Sequence, residues 1–190
     1  MDDVLTMPTR RKLDVDVYYQ MAETGFLAKE DRVELIDGEI IDMAPIGQGH
    51  VAMVLGLTQA LASACGTKAF LSVQNPIRLD RLNVPQPDFA LLRPRPDFYA
   101  TGDRPGPADV LLLVEVADSS LRYDRTVKLP LYARAGIPEV WIVDLKRRVL
   151  HAHRRPTDGE YAEITTHHPG DHLALAAAPD ITVRLDLAFA

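Results

Sequence analysis

The sequence is short of several things, and each shortage excludes something. One cysteine, Cys65, occurs among 190 residues. No intrachain disulfide can staple the fold, and a reducing cytoplasm is the expected compartment. No apolar run approaches the roughly 18 residues a membrane-spanning helix needs. The acidic start, Met1-Asp2-Asp3-Val4, lacks a signal peptide's basic opening and apolar core. No membrane partner is expected. Cys/His clusters with zinc spacing, internal repeats and low-complexity segments are absent, and no organic cofactor is expected. Positive charge is also scarce, leaving a net charge of −6. That balance counts against a broadly basic nucleic-acid-binding surface but not against a local basic groove.

What remains is an ordinary globular composition, 47% hydrophobic and 25% charged. It suffices for one domain with a substantial core. A single domain over residues 1–190 is expected, with a loose arm over about 1–12 that carries Arg10-Arg11-Lys12.

The chain is organised around Asp109-Val110-Leu111-Leu112-Leu113-Val114-Glu115-Val116-Ala117. An apolar run of this length reads as a central strand covered on both faces. Glu115 is therefore costly to bury unless it is paired or holds a metal. Upstream, Pro87-Asp88-Phe89-Ala90-Leu91-Leu92 again sets an acid at the start of an apolar strand. Downstream, Lys128 lies in a helix-like segment over about 124–135, closed by Gly136. Pro130 predicts a late start or a kink there. Lys128 and Tyr132, four apart, share a helical face.

Taken in order, Asp14 caps a short amphipathic helix that Gly25 ends. Residues 32–43 form a β-hairpin around the type I′ turn signal Asp37-Gly38. That turn sets Glu34 opposite Ile41 and on one side with Ile36 and Met43, so Glu34 sits among apolar neighbours. A carboxylate meeting solvent or an arginine at a sheet edge is the competing reading. His50 to Ala64 reads as a well-buried helix with His50 in its first turn. Residues 69–74 and 77–79 are strand material. The Pro- and Gly-rich loop 93–107 carries Arg93, Arg95 and Arg104, either as substrate contacts or as a surface excursion. Strands follow over 138–144, 148–153 and 160–165. The apolar tail, 173–190, either completes the sheet or supplies an interface. The unit 110–117, 124–135, 139–144 fits a right-handed crossover. The expected class is α/β (α+β), a mixed central sheet flanked by helices.

Two carboxylates can share a hard divalent cation, Mg²⁺ first and Mn²⁺ as substitute, with waters completing the shell. Such an ion activates water and polarises a phosphoryl oxygen, and a nearby lysine offsets charge on the transition state. Two acids at strand ends and one lysine therefore point to phosphodiester hydrolysis.

Asp88, Glu115 and Lys128 resemble the PD-(D/E)xK nuclease pattern, with Pro87-Asp88 as its PD. More closely, the chain resembles the Uma-type restriction-endonuclease family, long classed as a domain of unknown function. The matching stretches are Val33-Glu34-Leu35-Ile36-Asp37-Gly38-Glu39-Ile40, Pro87-Asp88-Phe89 and Val114-Glu115-Val116-Ala117-Asp118-Ser119-Ser120. They continue through Tyr123-Asp124, Lys128, Tyr132-Ala133 and Ala135-Gly136-Ile137 to Glu139-Val140-Trp141-Ile142-Val143-Asp144. They cover roughly residues 15–165.

The resemblance implies a restriction-endonuclease-like core and Asp88 and Glu115 as metal ligands, with the Val116 main-chain carbonyl as a further one. It adds Glu34 as a site carboxylate, and His50, Asp118, Tyr123 and Tyr132 as a second tier. One departure stands out. The residue two after Glu115 is Ala117, so the strand's own lysine is missing and Lys128 takes its place from the next helix. The expected activity is Mg²⁺-dependent DNA cleavage by a homodimer. The alternatives are a non-catalytic nucleic-acid- or protein-binding relative with a decayed site, or a hydrolase of small phosphoesters. A basic groove of Arg93, Arg95, Arg104 and Lys146-Arg147-Arg148 would favour DNA.

Overall fold

Val110–Ala117 forms a strand whose eight side chains are all buried. Its Leu and Val side chains need apolar cover on both faces, and the rest of the chain provides it. The computed structural model describes residues 11–28, 30–186 and 189. The arm expected over 1–12 falls, through residue 10, outside them.

The elements in order are α1 (Val15–Glu23), β1 (Val33–Ile36), β2 (Glu39–Asp42), α2 (Gln48–Cys65), β3 (Phe70–Val73), β4 (Phe89–Leu92) and β5 (Val110–Ala117). A helical run of three parts follows: α3 (Leu121–Tyr123), a π turn (Asp124–Lys128) and α4 (Leu129–Arg134). Then come β6 (Glu139–Asp144), β7 (Val149–Thr157), β8 (Glu160–His167), β9 (His172–Ala174) and β10 (Thr182–Arg184). Strands β3 to β8 make one six-stranded mixed sheet in sequence order. Its single parallel pair is β5–β6, joined by the helical run, and all other neighbours are antiparallel. The mixed sheet flanked by helices is the expected class.

Each face of β5 has its own cover. Leu112, Val114 and Val116 join the core made with α2 and the tail. Leu113 and Ala117 join the core made with the helical run and Ile36 of the hairpin. Side chains alternate along a strand, so Glu115 points to this second face. Among the described residues no helix is long and apolar enough to cross a membrane.

The hairpin β1–β2 has the expected register, Glu34 opposite Ile41. Asp37 and Gly38 both take positive φ, 51° and 73°. A side chain at Gly38 would also strike Lys12, with a Cβ only 2.5 Å from that residue's Cβ.

Several boundaries differ from the sequence reading. The helical run begins at Leu121, three residues early, and widens before Pro130. Pro130 has no N–H for the carbonyl four residues back, and Leu129 donates five back to Asp124. Residues 77–79 form a loop, with Ile77 and Leu79 donating to the carbonyls of Pro85 and Asn83. α2 is not buried all round, because one side packs on the sheet while Val51 and Leu55 face outward. The tail does not extend the main sheet. β9 and β10 pair only with each other, and Leu173, Leu175, Ile181 and Val183 enter the core beside α2.

Candidate active site

A cleft of about 300 Å³ opens where β5 ends. β4 and β5 are antiparallel with Phe89 level with Val114, so the residue just before β4 meets the end of β5. That residue is Asp88, and its Oδ2 accepts the Val116 N–H at 2.8 Å. The main-chain N–H and C=O of a strand residue point the same way, so the Val116 carbonyl turns to this side too. Asp88 Oδ1 faces His50 Nε2 at 3.1 Å and accepts from Gln74 Nε2 at 3.2 Å.

Glu115, on the second face of β5, meets the helical run. Lys128 Nζ donates to Glu115 Oε1 at 3.1 Å, and the Tyr132 hydroxyl donates to the same oxygen at 2.5 Å. Oε2 is left without a protein partner among the described residues. Lys128 Nζ also lies 2.7 Å from Glu34 Oε1, which accepts the Gln86 N–H at 2.6 Å. The lysine thus bridges a hairpin carboxylate and a strand carboxylate.

Burial governs the electrostatics. Burial pushes the Glu115 carboxyl well above the usual range; Lys128 opposes this, while Asp124, Asp88 and Glu34 push the same way. Burial also acts to discharge Lys128, but the attraction of Glu115 and Glu34 outweighs it and holds the ammonium charged. For Asp88 burial pushes upward, yet the bonds from His50, Val116 and Gln74 hold it below the ordinary range. Burial raises Asp124 despite the Ser120 hydroxyl bonded to its Oδ2 at 2.7 Å. Four carboxylates, Glu34, Asp88, Glu115 and Asp124, are thus buried around one buried lysine. The centre is short of positive charge, which a bound cation would offset.

The donor set fits a hard divalent ion. Asp88 and Glu115 converge through Val116, and Glu115 keeps one oxygen free. Among the described residues no three His, Cys, Asp or Glu side chains form a ready-made cage. Mg²⁺ is characteristically held by one or two carboxylates, waters and substrate phosphate, so a partial protein shell suits it.

Glu34, Asp88, Glu115 and Lys128 all line this cleft, with Lys128 touching both Glu34 and Glu115. Among the second tier, His50 and Tyr132 touch the carboxylates directly. Asp118 and Tyr123 line the cleft. The Tyr123 hydroxyl is buried without a partner among the described residues, and burial pushes it up to about 12. His50 Nδ1 is likewise unpartnered.

Arg93, Arg95 and Arg104 do not reach the cleft, which corrects their reading as substrate contacts. Their loop joins the far ends of β4 and β5. Five residues of strand separate Val110 from Glu115, about 17 Å. Arg93 donates to the Ala108 carbonyl at 3.2 Å, Arg95 forks onto Asp97 at 2.6 and 2.9 Å, and Arg104 covers the Tyr19 ring at 4.4 Å. Sequence reasoning missed Asp124, Ser120, Gln74 and Gln86. Asp124 stands four residues before Lys128, a spacing that places both on one helical face.

A family model described as "Uma2: Putative restriction endonuclease" matches residues 15–188. Among solved structures, a putative nuclease belonging to DUF820 from Anabaena variabilis is similar, with a TM-score of 0.68 at 12% identity. The match covers 93% of this chain and 97% of that one. No curated protein matches.

Proposed function

The chain belongs to the Uma2 family of restriction-endonuclease-like proteins, and we propose that it is a Mg²⁺-dependent endonuclease that hydrolyses DNA phosphodiester bonds. One observation carries the reading: Glu34, Asp88, Glu115 and Asp124 are buried around the single ammonium of Lys128.

In this reading Asp88, Glu115 and the Val116 carbonyl hold Mg²⁺, with Mn²⁺ as a substitute. The bound ion would polarise a phosphoryl oxygen and lower the pKa of a water. Tyr132 and Lys128 occupy Glu115 Oε1 and so turn Oε2 to the cleft. His50 and Gln74 fix the Asp88 carboxylate. Glu34 steers Lys128 beside Glu115. The charged lysine then stands where negative charge grows on the phosphoryl group as a water attacks phosphorus and the bond to the leaving oxygen breaks. A lysine held charged acts as an electrostatic partner here, not as the base.

DNA is favoured over a small phosphoester by the basic residues at the same end of the sheet. Asp144, level with Ala117, opens the turn carrying the exposed Lys146 and Arg147. Arg125, also exposed, acts electrostatically on both Asp144 and His151. Two strand spacings separate β5 from β7, on the order of 10 Å. That distance suits phosphates flanking the scissile one. In this reading Lys146 and Arg125 supply the flanking positive charge, while Arg147 pairs with Asp144 at 2.8 Å and Arg148 donates to the Phe189 carbonyl at 2.6 Å.

A non-catalytic relative is the second reading, and Ala117 favours it, since the strand's own lysine is missing. Lys128 compensates by reaching the same carboxylate from the helix. Purified protein with Mg²⁺ or Mn²⁺ should nick supercoiled plasmid, and Asp88→Ala or Glu115→Ala should abolish nicking. Equal nicking by the variants would refute the assignment.

A further inference from the structure

The cleft holds two chemistries that metal binding leaves unused. The first is an apolar wall. β2 passes into α2 through Met43-Ala44-Pro45-Ile46-Gly47. Ile41, Met43, Ala44, Pro45 and Ile46 line the same cleft as the buried carboxylates. The segment is pinned. Met43 donates its N–H to the Arg32 carbonyl at 2.8 Å, and Arg32 Nη1 donates to the Ala44 carbonyl at 3.1 Å. Pro45 fixes its own φ and restricts Ala44 before it. Ile46 is nonetheless 40% exposed. An apolar side chain held in the open beside a charged centre does nothing for a metal ion.

The second is spare hydrogen-bonding capacity. A guanidinium has five N–H groups. Arg32 lines the cleft, spends one of them on Ala44, and pairs with no carboxylate among the described residues. The Tyr123 hydroxyl also belongs to the cleft and is buried without a partner among the described residues. Such a hydroxyl is costly until a ligand oxygen accepts from it.

We propose that the cleft takes one nucleotide of an unpaired DNA strand, its base against Met43, Pro45 and Ile46 and its phosphate on Arg32 and Tyr123. A nucleotide joins the two chemistries that the cleft offers: a flat face for an apolar wall, and phosphate oxygens for donors. A duplex hides that face by stacking. It is also too large, since its major groove alone is about 12 Å wide and the cleft holds about 300 Å³. Asp88, Glu115 and Lys128 are buried, so the phosphate must come in to them. Enzymes that work inside a pocket draw the nucleotide out of the stack, and the cost is least where the strand is already single. The proposal rests on the metal reading of the cleft, because a phosphate approaches four carboxylates only when an ion offsets them. Negative supercoiling helps a duplex to open, so nicking of supercoiled plasmid agrees with it.

Fluorescence anisotropy tests this with one labelled oligonucleotide, offered single-stranded and as a blunt duplex. Ca²⁺, another ion held by oxygen ligands, replaces Mg²⁺. The single strand should bind about tenfold tighter than the duplex, and Ile46→Asp should remove most of that difference. Arg32→Gln should lower the slope of log affinity against log salt by about 0.7, the share of one single-strand phosphate. A role for Arg32 in holding the loop alone would leave that slope unmoved. Tyr123→Phe should weaken single-strand binding with no fall in the thermal midpoint, since the hydroxyl has no protein partner to lose. Equal affinity for the two forms would overturn the proposal, as would an unchanged slope in Arg32→Gln. A wild type that binds Mn²⁺ in the calorimeter but no single strand would overturn it and leave the metal site standing. Binding as expected, with neither form cut in Mg²⁺, would support it and count against the reaction.

Discussion

Lys128 Nζ lies 3.1 Å from Glu115 Oε1, and the two residues come from a helix and a strand rather than from one strand. In the proposed reaction this ammonium stands in for the lysine that the strand lacks at 117, where Ala117 is found. It does so because the helical run crosses directly over the second face of β5, where Glu115 alternates with Leu113 and Ala117. The π turn ends at Lys128, so the widened turn sets the direction of this side chain.

Glu115 is a liability to the folded chain without an ion. Its carboxyl is held above the ordinary range by burial. The folded state therefore keeps the proton longer than the unfolded state. Stability from this group is present at acid pH and is lost as pH rises from the ordinary carboxyl range towards the folded value. Glu115→Gln should remove this loss. Urea unfolding near neutral pH should find the variant at least as stable as the metal-free wild type.

A divalent ion should reverse the same penalty. At a hundredfold excess over its dissociation constant, a ligand that binds only the native state stabilises it by about 2.7 kcal/mol. For a chain of this size that corresponds to roughly 5–10 °C in the thermal midpoint. Mg²⁺ or Mn²⁺ should raise the wild-type midpoint by this order, and Asp88→Ala should show no such rise.

His153 supplies an acid-side effect distant from the cleft. Its ring is buried with neither nitrogen bonded among the described residues. Burial lowers it to about 4, and His151 and Arg125 add to the effect. The unfolded ring titrates near the ordinary value of about 6.5. Between these values the unfolded state binds more protons, so stability falls as pH drops from 6.5 to 4 and levels off below. The slope has a ceiling of about 1.4 kcal/mol per pH unit. His153→Leu should flatten the curve in that window, as measured by denaturant unfolding across pH.

Much of the fold was legible because local pattern decides it. The Leu/Val run of β5, the Asp37-Gly38 turn and the acid opening β4 are each set by neighbours a few residues away. Glu34 opposite Ile41 followed from turn parity alone. The meeting of Glu34 with Lys128 did not, since the hairpin forms its own two-stranded sheet and only packing brings it over β5. Asp124 stayed hidden because an aspartate near a helix start reads as a cap. The arginines of the 93–107 loop were misplaced for an avoidable reason. A loop joining antiparallel neighbours leaves from the end opposite Asp88 and Glu115. The outward face of α2 was illegible, because an uncharged helix gives no sign of which side is covered.

In the proposed reaction Lys128, and not the carboxylates alone, makes this centre a cutting site. Mg²⁺-dependent plasmid nicking by Lys128→Met, timed against the wild type, tests it most directly. Loss of an oriented electrostatic group of this kind costs about 10²- to 10³-fold in rate. A fall of that order, with calorimetric Mn²⁺ binding retained, is the expected result. Nicking by Lys128→Met at the wild-type rate would contradict the account.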